Sequence, residues 1–147
     1  FNQTTSFSYE QLFQTMRLLK LPYPQAEQLF RRMAFNVIAR NCDDHTKNFA
    51  FRLKQNENWE LTPAYDVCFA YRPESNWVSQ HNLSINGKRK DITKEDLLHV
   101  AKSMNIKKAN QIIQQINDVV SKWSTFAEEA KVKNDFIEQI SQSHLFL

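Results

Sequence analysis

Asp43 and Asn48 stand five residues apart in Asn41-Cys42-Asp43-Asp44-His45-Thr46-Lys47-Asn48, and Asp66 follows Asn48 by eighteen residues in Leu61-Thr62-Pro63-Ala64-Tyr65-Asp66. D-x-x-x-x-N is the spacing of a catalytic loop for phosphoryl transfer. In that chemistry the Asp accepts the proton of an attacking hydroxyl, and the Asn side-chain oxygen holds Mg²⁺ on the nucleotide phosphates. A second carboxylate from a separate segment completes such a metal site, and Asp66 is placed to be that carboxylate. Acids crowded together repel one another unless a cation sits among them, which is a reason to expect Mg²⁺.

The neighbouring residues have blander readings. Asp43 alone would be a solvated loop acid, and Asn48 a common turn residue. Asp44 reads as a solvated neighbour rather than a second base. His45 could be a metal ligand, a phosphate contact or a hydrogen-bonder that steadies the loop; the last is favoured, since no second His stands at ligand spacing. Lys47 either steadies the transferred phosphoryl group or the catalytic Asp, or is a solvated lysine. Cys42 and Cys68 read as small buried apolar residues. Lys88-Arg89-Lys90 reads as a solvated turn.

The elements that must position these groups follow from composition and period. A chain of 147 residues is one domain, 41% apolar and 24% charged, with a mild formal charge of +3 that permits an anionic partner without demanding one. Eleven Phe and three Trp suggest a core of large rings. No run approaches a membrane span, there is no signal-peptide pattern, and two cysteines make no disulfide framework, so a cytoplasmic setting is expected. Glycine occurs once, at Gly87, which excludes both G-x-G-x-x-G and the P-loop within this chain. The chain is therefore expected to be a piece of a longer protein, with the nucleotide-gripping part elsewhere.

Residues 1–7 read as a lead-in. Ser8 with Gln11 forms a capping box before Tyr9, Leu12, Phe13, Met16 and Leu19 at helical spacing. Leu21-Pro22-Tyr23-Pro24 stops that helix, and Pro24 suits the first turn of the next. Ala26, Leu29, Phe30, Met33, Ala34, Val37 and Ile38 trace one apolar stripe, ending at Asn41, a residue that tolerates the left-handed helix-closing conformation. The period then drops to two. Phe49, Phe51 and Leu53 predict a strand, Gln55-Asn56-Glu57-Asn58 a turn, and Trp59 and Leu61 the returning strand. Such a hairpin would bring Asn48 and Asp66 together. Asn86-Gly87 predicts a second hairpin turn, Thr93 with Asp96 caps a helix, one longer helix runs from Ala109 to Phe126, and Phe136, Ile137 and Ile140 mark a last one. The fold class expected is mainly α with small β-hairpins, in one unit over 1–147.

Asp43-Asp44-His45-Thr46-Lys47-Asn48-Phe49, then Leu61-Thr62-Pro63-Ala64-Tyr65-Asp66 and, more weakly, Leu83-Ser84-Ile85-Asn86-Gly87-Lys88, resemble the HipA family of bacterial serine/threonine kinase toxins. The likeness is to that family's helix-rich C-terminal lobe. It implies Asp43 as catalytic base, with His45 and Lys47 in the catalytic loop, and Asn48 and Asp66 as ligands of Mg²⁺ on ATP. It also implies a HipB-like DNA-binding antitoxin as partner and a protein substrate, which is an aminoacyl-tRNA synthetase in the best-known member type. The chain lacks His-Arg before Asp43 and Phe-Gly after Asp66, both departures from typical protein kinases that HipA-like proteins share. Without the N-terminal lobe the chain is expected to be inactive. The competing readings are a small-molecule phosphotransferase, a metal-dependent phosphohydrolase using Asp43, Asp44, His45 and Asp66, and a non-catalytic partner-binding domain.

Overall fold

The computed structural model describes residues 7–55 and 57–147. Six helices and one two-stranded hairpin make up its regular structure: α1 (Tyr9–Leu18), α2 (Tyr23–Ile38), β1 (Phe51–Leu53), β2 (Trp59–Leu61), α3 (Lys94–Ser103), α4 (Ala109–Val120), α5 (Trp123–Glu129) and α6 (Asn134–Ser143). The mainly helical expectation with a small antiparallel hairpin is what the chain forms. The lead-in at residues 1–6 lies outside the described residues, as does Asn56 in the hairpin turn.

Helix α2 is the centre of the molecule. Leu29, Phe30, Met33, Ala34, Val37 and Ile38 are all fully buried, as the stripe at i, i+3, i+4, i+7 requires. It packs chiefly against α4, and α1 lies along it. Ser8 and Gln11 form the expected capping box on α1, with reciprocal hydrogen bonds of 3.3 and 2.8 Å. Thr93 and Asp96 do the same for α3. Asp96 is 2% exposed and also takes hydrogen bonds from Asn86 and Lys88. Burial opposes its charge, but these donors together hold its carboxyl well below the usual range.

Several expectations change. The helix predicted from Ala109 to Phe126 is broken at Ser121-Lys122 into α4 and α5. The core is aliphatic rather than ring-built. Phe13 and Phe30 are its buried phenylalanines among the described residues, whereas Phe7, Phe126, Phe136 and Phe146 are exposed. The residue that closes α2 is Arg40 at φ +60°, not Asn41. Asn41 comes one position later and donates its N–H back to Asn36 O at 2.9 Å, the long bond of a Schellman closure. Lys20, Asn105 and Lys131 close α1, α3 and α5 in the same left-handed conformation. A chain with one glycine closes these helices with residues that carry a Cβ, and each pays steric strain for it.

Asn86 at φ +50° and Gly87 at φ +77° make the expected tight turn, with Ile85 and Lys88 exchanging hydrogen bonds of 2.7 and 2.9 Å. The basic run after it is not merely solvated. Lys88 pairs with Asp96 at 2.9 Å, and Arg89 Nε donates to the His81 carbonyl at 2.6 Å. No helix among the described residues is long and apolar enough to cross a membrane.

Candidate active site

The buried end of α2 delivers the chain into Asn41-Cys42, both at most 2% exposed. Cys42 N donates to Ala70 O, and Ala70 N to Arg40 O, at 3.0 and 3.1 Å, so the loop start is clamped to the segment that follows Asp66. A short 3-10 turn at Thr46–Asn48 then folds the loop back. Asn48 Nδ2 donates to the Asp43 carbonyl at 3.0 Å. That bond uses the amide nitrogen and leaves Asn48 Oδ1 as an acceptor.

The hairpin brings in the second carboxylate. Phe51 faces Leu61 and Leu53 faces Trp59 in the antiparallel register, and Thr62 N extends the ladder to Ala50 O at 3.0 Å. The returning segment is then tied to the loop by Tyr65 Oη, which donates to Lys47 O at 2.7 Å. Asn48 and Asp66 line one cavity of about 470 Å³ with Asn41, Arg31, Arg32 and Tyr65. Asp66 sits at φ +53°, a left-handed conformation in a residue that is not glycine. Strain of this kind persists where the surrounding structure imposes it, often at functional sites. Asp43 does not line that cavity; it stays on the adjoining loop, where burial, and then the charges of Asp66 and Asp43, push the Cys68 thiol up. Arg32 Nη1 and Asn41 Oδ1 are buried and unpartnered among the described residues, so the cavity that Asn48 and Asp66 share also holds a spare donor and a spare acceptor.

Asp44 is the largest departure from expectation. It is fully buried rather than solvated. Its Oδ2 accepts from Tyr9 Oη at 2.7 Å and lies 2.9 Å from His81 Nδ1, while Oδ1 accepts from Asn82 N at 2.8 Å. Tyr9 Oη in turn accepts from Asn36 Nδ2 at 2.9 Å, and Asn36 Oδ1 from Asn41 Nδ2 at 3.1 Å. One carboxylate thereby joins α1, α2, the loop and the 81–82 segment. Burial, and then the negative charge of Asp44, push the Tyr9 hydroxyl well above its usual range, so it stays a donor at any ordinary pH.

Asn82 is a site residue that the sequence did not reveal. Its Nδ2 donates to the Cys42 carbonyl at 3.0 Å and to Asp43 Oδ1 at 3.3 Å, so it holds the proposed base directly. Its only signal was its place just before the Leu83–Lys88 string. His81 is 1% exposed and sits between Asp44 and Cys42, whose sulfur is 3.9 Å from Nε2. His45 does not act as a side-chain hydrogen-bonder among the described residues. Its Nδ1 is buried and unpartnered, and only its carbonyl serves the loop, accepting from Asn48 N at 3.0 Å. Lys47 is exposed. Cys42 is buried as expected, but Cys68 is exposed.

With this geometry in view, the decisive comparison is with protein families. The family described as HipA-like C-terminal domain matches residues 1–123. The chain belongs to that family. No curated protein matches it. In this HipA-like domain the matched span contains Asp43, Asn48, Asp66, His81 and Asn82, and it reaches to Trp123, the first residue of α5.

The donor set suits Mg²⁺. Asn48 Oδ1 and the Asp66 carboxylate are hard oxygens on one cavity wall. Mg²⁺ typically takes one or two protein oxygens, with phosphate oxygens and water completing the shell. No group of three or more His, Cys, Asp or Glu that could hold a metal occurs among the described residues, and Asp44 is spent on structure.

The His81–Asp44 pair sets a pH dependence. Burial alone would lower the His81 pKa, but the Asp44 charge and hydrogen bond overcome it and raise it from 6.5 to about 9. A raised folded-state pKa stabilises fully below the unfolded value and is lost as pH rises through the folded one. This HipA-like domain is therefore expected to lose about 3 kcal/mol of unfolding free energy between pH 6.5 and 9. Urea melts at pH 6 and pH 9.5 read this directly, and His81→Gln should flatten the difference.

Proposed function

We propose that this domain is the catalytic lobe of a HipA-like protein kinase, transferring the ATP γ-phosphoryl group to a serine or threonine hydroxyl of a protein. The observation that carries the reading is the shared cavity: Asn48 and Asp66, distant in sequence, line one concave wall beside the loop that bears Asp43.

In this mechanism the acceptor hydroxyl attacks the γ-phosphorus. The new O–P bond forms as the bond to the ADP oxygen breaks, and the hydroxyl proton passes to the Asp43 carboxylate. Asn82 Nδ2 holds Asp43 Oδ1, and Asn48 Nδ2 holds the Asp43 main chain, so the base meets the hydroxyl in a fixed orientation. Asn48 Oδ1 and Asp66 would hold Mg²⁺, which when bound neutralises charge on the phosphate oxygens. The chain's one glycine, Gly87, lies in a tight turn, so this proposal assigns any glycine-rich grip on the nucleotide to a segment outside residues 1–147. A HipB-like antitoxin as partner, and an aminoacyl-tRNA synthetase among the acceptor proteins, follow from the family likeness in the same proposal.

The test is Asp66→Asn in the full-length protein that carries this lobe, assayed for Mg·ATP-dependent phosphorylation. Replacing the anionic carboxylate with a neutral amide weakens the metal site and should lower transfer at least about a hundredfold at low millimolar Mg²⁺, with partial recovery at high Mg²⁺. Transfer at the wild-type rate in the variant would remove Asp66 from the metal site, and with it the kinase reading.

A further inference from the structure

A second cavity, of about 410 Å³, is lined by Arg40, Arg89 and Lys90, with Tyr71, Ser79 and Asp91. We propose that it is an oxyanion site for a phosphate monoester, distinct from the proposed nucleotide-metal site.

Arg40, Arg89 and Lys90 line this concavity and form no ion pair among the described residues. Among the described residues, no carboxylate lies within 4.0 Å of Arg40, Arg89 or Lys90, whereas the neighbouring Lys88 pairs with Asp96. Both guanidiniums are held in place by parts other than their tips. Arg40 lies over the Tyr71 ring, 3.6 Å from its centroid, and Arg89 is pinned through Nε to the His81 carbonyl at 2.6 Å. Neither uses its terminal nitrogens in a hydrogen bond among the described residues, and Arg40 Nε is buried without a partner. Two immobilised guanidinium forks and a flexible ammonium are the donor set that recognises a phosphate dianion. Ser79 adds a hydroxyl.

The shape selects a phosphate monoester over a nucleic-acid backbone. A polynucleotide needs a stripe of cations that tracks successive phosphates, whereas these three meet at a single pocket. Asp91 lines the same cavity, and its negative charge opposes a bound phosphate.

The test is calorimetric titration of the protein with inorganic phosphate and with phosphoserine at fixed ionic strength. Saturable binding of one equivalent is expected. Lys90→Glu, at an exposed position, should weaken it about tenfold or more; Arg40→Gln should do the same, and Asp91→Asn should tighten it severalfold. Tighter phosphoserine binding assigns the site to a phosphorylated side chain, and tighter inorganic phosphate binding assigns it to the free ion. Absence of saturable binding overturns the proposal. So does binding indifferent to both Lys90→Glu and Asp91→Asn, or oligonucleotide binding in place of phosphate. Asp66→Asn leaves this binding unchanged, so the result is independent of the kinase reading.

Discussion

Asp43→Ala is expected to lower phosphoryl transfer by about 10²–10⁴-fold, the range that a positioned general base contributes. The loss belongs to the chemical step. Asp43 is half-buried, and its carboxylate accepts a single hydrogen bond of 3.3 Å from Asn82 among the described residues. Truncating it removes little packing, and the main-chain bond from Asn48 Nδ2 to its carbonyl survives. The thermal midpoint of the variant should therefore stay within a few degrees of the parent. Single-turnover phosphorylation alongside a melt separates the two effects. A variant that transfers phosphate normally would remove Asp43 from the mechanism.

Asp44→Ala, one residue on, is expected to fail for the opposite reason. It deletes a fully buried carboxylate that accepts from Tyr9 and Asn82 and pairs with His81. The change strands a buried hydroxyl and leaves His81 without its counter-charge. Breaking a buried pair from one side costs about 3–5 kcal/mol, a large share of a stability of roughly 5–15 kcal/mol. The midpoint should fall on the order of 10 °C, and activity should fall with the folded fraction. A melt matching the parent would show that the Tyr9–Asp44–His81 network does not hold the loop. Two adjacent aspartates thus differ in environment: Asp44 is fully buried and consumed in anchoring, while Asp43, the proposed base, is half-buried.

That division marks the boundary of what could be read without coordinates. Local, periodic and reciprocal signals were legible: the Ser8–Gln11 and Thr93–Asp96 boxes, the α2 stripe, the alternation at Phe49–Leu53 and the Asn86-Gly87 turn all depend on residues a few positions apart. The family likeness was legible too, because the loop spacing and the Tyr65-Asp66 string lie on short stretches of chain. The hairpin then placed Asn48 and Asp66 on one wall, as its length implied.

What lay beyond the sequence was every partnership made across the fold. Whether Asp44 is solvated or buried depends on Tyr9, 35 residues before it, and His81, 37 residues after it. No local pattern encodes such a distance. Cys42 and Cys68 are alike by type, yet one closes the buried loop start and the other stays at the surface, because packing around α2 reaches only the first. The aromatic count misled for the same reason. A residue's type sets what its burial is worth, while the surfaces that helices have available decide which rings are buried. Sequence by itself determined most of the elements and the candidate loop; tertiary structure decided which of its two acids is buried in a network and which is left to the loop surface, since desolvation and hydrogen-bond partners exist only once the chain has closed.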